Sequence, residues 1–191
     1  NRAGCYVVME DYTNALKDYD KAIDLDVEGT RYLNSRGLFY YDQGKYDLAL
    51  ADYESMLKLD PTDTYAINNR ALIFGKQGKH DLEIEEYTKA IDIDPDDPLC
   101  YSNRAIKYEY LEDYKKAITD YTKAIELDKD NPERYKNRAD CYVAMEDYIN
   151  ALKDYDRSID LAPDDPRWYD HRADFYKTQE KYDEALADYA K

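Results

Sequence analysis

The chain has 191 residues, with 43 Asp and Glu set against 27 Lys and Arg, for a formal net charge of −16. That balance argues against nucleic-acid backbones and anionic membrane surfaces as partners, because both bind proteins through cations. No apolar run approaches the ~18 residues of a membrane-spanning helix, and no charged-then-apolar leader with a cleavage site opens the sequence.

The sequence repeats every 34 residues, which marks a stack of small units instead of one globular core, so 1–191 reads as a single array. Counted from the residue after each Asp-Pro-containing loop, 1–29 is a partial repeat that begins at its sixth position. Full repeats occupy 30–63, 64–97, 98–131 and 132–165, and 166–191 is again partial.

In 30–63, Leu33, Gly37 and Tyr40 at positions 4, 8 and 11 share one face of a helix, and Tyr46, Ala49, Tyr53 and Met56 share one face of a second. Gln43-Gly44-Lys45 is the turn between them, and Asp60-Pro61 stops the second helix, since Pro lacks an amide donor. Two antiparallel helices per repeat follow, an all-α architecture.

Repeat 64–97 has the same turn in Gln77-Gly78-Lys79 but departs elsewhere. His80 and Glu83 replace the usual Tyr and Ala on one helix face, a candidate pH-sensitive pair, and Gly75 is expected to loosen the end of the first helix. In 98–131 the pattern returns with Tyr101, Ala105 and Tyr108, the turn Leu111-Glu112-Asp113, then Tyr114, Ala117, Ile118, Tyr121, Ala124 and Ile125. Pro98, Pro132 and Pro166 suit a first helical turn, where the missing donor costs nothing. In 132–165 the second helix carries Tyr148, Ala151, Tyr155 and Ser158 and stops at Ala162-Pro163.

Every repeat places Arg at position 7 and an acid at position 23: Arg2 with Asp18, Arg36 with Asp52, Arg70 with Glu86, Arg104 with Asp120, Arg138 with Asp154, and Arg172 with Asp188. Such co-occurrence of opposite charges on two paired helices predicts ion pairs that fix packing, in preference to a cationic ladder for an acidic ligand.

The small-residue and aromatic pattern at positions 4, 8, 11, 20, 24, 27 and 32 resembles the tetratricopeptide repeat over the whole chain. The resemblance implies a right-handed superhelical solenoid whose first helices line a concave groove, and a role in binding peptide segments of partner proteins. Position 6 then faces the groove, as Asn1, Asn69, Asn103 and Asn137, with Ser35 and His171 in the other repeats. An amide there offers a donor and an acceptor to an extended peptide backbone, though it also suits a tie between adjacent helices. Asn34 and Asn68 stand beside this row at position 5.

The other groove-facing positions give Val7, Val8, Leu38, Tyr41, Leu72, Ile106 and Tyr110, an apolar stripe that the scaffold pattern does not require. Farther along they become Lys136, Asp140, Arg167, Asp170, Asp174 and Lys177, which reads as a solvated or charge-reading surface. Some members of the family carry a carboxylate clamp of Lys, Asn and Arg. Lys136 comes nearest to it, but Asp140 stands where Asn is needed, so the clamp is absent from the sequence.

No catalytic constellation, phosphate-cradling loop or metal-ligand spacing occurs, and no cofactor is expected. The three cysteines, Cys5, Cys100 and Cys141, have no redox or zinc spacing and favour a reducing, cytoplasmic setting. The expected function is a non-enzymatic protein-interaction scaffold holding an extended peptide. The alternatives are a structural spacer that self-associates end to end, and a regulatory arm of an enzyme whose catalytic domain lies outside this chain.

Overall fold

A computed structural model describes residues 2–26 and 29–191; Asn1, the first member of the expected amide row, lies outside them. Among the described residues there are twelve α-helices and no strand, and no helix is long and apolar enough to cross a membrane. The backbone forms two compact units that divide after Asp94. The first holds α1 (Arg2–Val8), α2 (Tyr12–Leu25), α3 (Thr30–Asp42), α4 (Tyr46–Leu59), α5 (Thr64–Lys76) and α6 (His80–Ile93). The second holds α7 (Pro98–Tyr110), α8 (Tyr114–Leu127), α9 (Pro132–Ala144), α10 (Tyr148–Leu161), α11 (Pro166–Thr178) and α12 (Tyr182–Tyr189).

Within each unit, consecutive helices pack as pairs, and each pair packs on the next through the second helix of one repeat and the first helix of the following one. Small residues set the spacing. Ala49, Ala105, Ala117, Ala139 and Ala151 are fully buried, and Tyr53, Tyr121 and Tyr155 fill the volume beside them. At Gly37 the fit is tight enough that a β-carbon would lie 2.9 Å from the Tyr53 ring.

Helix ends follow from local chemistry. Pro98, Pro132 and Pro166 open α7, α9 and α11, and the preceding Asp97, Asn131 and Asp165 accept hydrogen bonds from the first-turn amides. Inside the repeats the turn needs one residue in the left-handed region. Gly44 (φ 68°) and Gly78 (φ 73°) supply it as the sequence suggests, but Glu10, Glu112, Glu146 and Glu180 adopt the same conformation with φ of 59–60°.

Gly75 does not loosen its helix. α5 runs through it to Lys76 and has the same 13 residues as α3 and α7. A β-carbon at Gly75 would lie 2.6 Å from the Glu83 carboxylate, so the glycine makes room for the acid that replaces alanine at position 20. The two departures in the third repeat compensate one another.

Candidate functional site

The arginine row belongs to the scaffold. Arg104, Arg138 and Arg172 each reach their aspartate through Nε at 2.7 Å, and Arg36 reaches Asp52 through Nη2 at 2.6 Å. Arg2 pairs with Asp18 at 2.5 Å, and Arg70 pairs with Glu86. Most pairs are two-pronged, as where Arg138 Nε and Nη2 donate to the two oxygens of Asp154 at 2.7 and 2.8 Å.

The remaining guanidinium nitrogen stitches neighbouring repeats together. Arg36 Nη1 donates to Asp20 at 2.5 Å, Arg138 Nη1 to Thr122 Oγ1 at 3.0 Å, and Arg172 Nη1 to Asp156 at 2.5 Å. Hydrogen bonds to the paired acids, Asp52 first for Arg36 and Asp188 first for Arg172, raise these guanidinium pKa values. With both roles filled, these side chains are not open to an acidic ligand.

In the first unit, Val8, Leu38 and Leu72 expose apolar surface on α1, α3 and α5, and Tyr65 at position 2 of its repeat joins them. Tyr65 was not among the expected stripe residues, although its register position marks it as groove-facing. Val7 and Tyr41 are different: both are half-buried and pack against the core, Tyr41 with its ring centroid 5.8 Å from that of Tyr46. They have the packing task that the stripe was expected to lack. Asn34 and Asn69 meet across neighbouring helices, Asn69 Nδ2 donating to Asn34 Oδ1 at 3.2 Å, so this part of the amide row laces α3 to α5. Asn68 is half-buried on the same helix.

The second unit brings expected residues into one cavity. Ile106 and Tyr110 of α7, Tyr114 of α8, and Asn137 and Ala144 of α9 line an open cavity of about 520 Å³ together with Glu109 and Asp140. Ile106 is half exposed, Tyr110 more so, and Leu99 at position 2 of the same helix is also exposed. Asn103 is half-buried on α7.

Glu109 and Asp140 line the cavity wall and rest on buried tyrosines. Tyr121 Oη donates to Glu109 Oε2 at 2.7 Å, and Tyr155 Oη donates to Asp140 Oδ1 at 2.6 Å. Tyr189 donates likewise to Asp174 at 2.5 Å, but at the surface. Asp140 is thus anchored from below, whereas Asp174 stays exposed; the sequence placed both on a solvated or charge-reading surface. The signal was an acid at position 9 or 12 in a repeat whose position 24 is Tyr.

Asp140 also holds Lys136, Nζ to Oδ2 at 2.7 Å, which occupies the lysine nearest to a carboxylate clamp. Burial pushes the Glu109 pKa above the ordinary carboxylate range, a shift that Tyr121 opposes and Asp140 reinforces. Burial also raises the pKa values of Tyr121 and Tyr155, and it moves the Cys141 thiol beneath them to about 12, so the thiol stays protonated. In the first unit, His80 Nδ1 lies 3.6 Å from Glu83 Oε2, the juxtaposition expected for that pair.

Paired helices of constant length, stacked on alanines and clasped by arginines, define a helical repeat scaffold. Tetratricopeptide-repeat models match residues 30–63, 64–97, 98–131 and 132–165, and the chain belongs to the tetratricopeptide repeat family. These bounds coincide with the four full repeats read from the period. Proteins of this kind are protein-interaction scaffolds.

Among solved structures, a tetratricopeptide repeat protein from Parabacteroides merdae is 22% identical, with a TM-score of 0.79 over 98% of this chain and 74% of that one. PilF from Pseudomonas aeruginosa is 16% identical, with a TM-score of 0.78 over 97% and 85%. YrrB, described as a tetratricopeptide repeat protein with an unusual peptide-binding site, is 18% identical, with a TM-score of 0.68 over 89% and 88%. At these identities the likeness is one of fold. No curated protein sequence matches the chain.

Proposed function

We propose that this chain is a non-enzymatic module that binds an extended segment of a partner protein along the first helices of its repeats. The observation that carries this reading is the cavity between α7 and α9, where exposed Ile106 and Tyr110 stand beside the amide of Asn137. Apolar side chains of a peptide have a seat there, and its main chain has a donor and an acceptor within the same cavity. In the first unit, Leu38 and Leu72 are exposed apolar residues on first helices as well. YrrB supports the reading as a protein of the same fold with a peptide-binding site, and the net charge of −16 favours neutral or basic segments over nucleic acid.

The test is selection of a displayed random-peptide library on the parent chain and on a Leu72→Asp/Ile106→Asp variant. Both side chains are close to half exposed, so the substitutions leave the core intact. Peptides with a common apolar pattern, enriched on the parent and lost on the variant, are the expected result. A folded parent that enriches nothing refutes binding of short segments.

A second reading has its own observation: α12 exposes Tyr182, Leu186 and Tyr189, an apolar face suited to self-association. A mass that rises with concentration, and returns to that of a monomer in Leu186→Asp, would favour it.

A further inference from the structure

The cavity of the second unit contains one carboxylate with no ion pair of its own; Lys136, whose charge reaches it, is bound to Asp140. Asp140 gives one oxygen to Lys136 and the other to Tyr155, so its charge is met inside the repeat. Glu109 is half-buried and receives a hydrogen bond from Tyr121 on Oε2 alone. Among the described residues, Glu109 makes no ion pair, and nothing donates to its other oxygen.

Burying a carboxylate without a counter-ion costs stability, and the fold has no need of it here. A Gln at this position would accept the same bond from Tyr121 with no charge to desolvate. A costly group that lines a cavity, and that a neutral residue would replace without loss of packing, points to use by a ligand. The apolar walls beside it, Ile106, Tyr110 and Tyr114, match the methylene stem of a long cationic side chain; the Tyr110 ring already carries Lys107 Nζ 4.4 Å from its centroid, so the charge of a ligand falls to Glu109.

From this cavity and its charge we infer that the partner segment carries a Lys or Arg whose head seats on Glu109 while its stem lies along Ile106 and Tyr110. This rests on the peptide-binding reading and names the chemistry of the segment at one subsite. The segment is therefore basic at that position and apolar beside it.

The test uses a displayed random-peptide library on the full chain and on its Glu109→Gln and Ile106→Asp variants, with unfolding midpoints measured for all three. The parent should enrich peptides with Lys or Arg at a fixed distance from an apolar residue. Glu109→Gln should keep the apolar residue, lose the preference for the cation, and unfold later than the parent at neutral pH. Replacing the cation by norleucine in one enriched peptide, made synthetically, should weaken binding to the parent about tenfold and change binding to Glu109→Gln by less than about twofold.

Enriched peptides without a shared cation, or a cation preference unchanged in Glu109→Gln, overturn the subsite and leave the peptide reading standing. No enrichment by the folded parent overturns both.

Discussion

Tyr53 and Tyr155 hold the same position in the second and fifth repeats and are both buried, yet their hydroxyls meet different surroundings. Tyr155 donates to Asp140 at 2.6 Å, whereas the Tyr53 hydroxyl has no hydrogen-bond partner among the described residues and its ring lies against Gly37. Position 9 makes the difference: it is Leu38 in the second repeat and Asp140 in the fifth. In the second repeat the buried tyrosine only fills space; in the fifth it anchors a charge on the first helix. The fourth repeat reaches the same result from another place, with apolar Ile106 at position 9 and Glu109 at position 12 accepting from Tyr121, so an acid at either position turns the scaffold tyrosine into an anchor.

The largest expected effect tests what all the repeats share. Arg138→Ala should cost about 3 kcal/mol, because it leaves Asp154 buried without its cation and removes the bond to Thr122; that value is the lower end for buried pairs, as the guanidinium keeps an exposed edge. Arg2→Ala removes the same pair where the guanidinium is 72% exposed, and it should barely move the unfolding midpoint. Equal losses at the two sites, measured by urea unfolding, would show that the pair does not act through burial.

Next comes the tyrosine comparison itself. Tyr155→Phe should cost about 2 kcal/mol, the worth of a hydrogen bond to a charged acceptor, while Tyr53→Phe should be neutral or slightly stabilising because it removes a buried hydroxyl without a partner. A similar loss at both sites would mean that the buried hydroxyl contributes whether or not an acid accepts from it.

The third prediction concerns pH. Glu109 is raised in the folded state, first by burial, while Asp140 reinforces the shift and Tyr121 and Lys136 oppose it. Between the ordinary carboxylate range and this higher folded value, the folded chain holds more protons than the unfolded one. Stability from this group is therefore present at low pH and lost as pH rises through the folded value. Glu109→Gln should remove that slope, so that the variant and parent unfold together at acidic pH and separate toward neutrality, with the variant the more stable. Parallel curves across the range would remove the premise of an unbalanced buried charge.

The helix pairs, their bounds and all six Arg–acid pairs were legible in the sequence because each recurs at a fixed offset and its chemistry needs only two residues. The cavity was legible in part: Ile106, Tyr110 and Asn137 follow from register, but Glu109 and Asp140 gain their meaning from tyrosines on the opposite helix, at offsets of 12 and 15 residues that differ between repeats. Arg134 was hidden for a similar reason. It is buried at a position that elsewhere carries Ala66, Cys100 or Trp168, and it is accommodated because Nε donates to Ser102 Oγ of the preceding repeat at 3.0 Å and Nη1 to Asp128. Periodicity reports what all repeats share, and these features belong to one or two.

The smallest effects lie in the turns, where the repeats follow two patterns. Gly44-Lys45 and Gly78-Lys79 put glycine at the left-handed position and leave the next helix without a side-chain cap. Glu10-Asp11, Glu112-Asp113 and Glu146-Asp147 put Glu at that position, where a β-carbon is disfavoured, and follow it with an Asp that caps the next helix. Each pattern satisfies one requirement of the turn and gives up the other. Combining them should therefore gain in both directions: Lys45→Asp by about 1 kcal/mol from a new cap, and Glu146→Gly by about 0.5 kcal/mol, the relief of left-handed strain less the flexibility glycine adds to the unfolded chain. Glu180-Lys181 has neither glycine nor cap, so the pair Glu180→Gly/Lys181→Asp should gain the most, with a departure from the sum that measures the coupling of adjacent residues. Urea midpoints that rise with an unchanged slope are the expected result; a gain from the aspartates alone would mean that Glu sits at the left-handed position without strain.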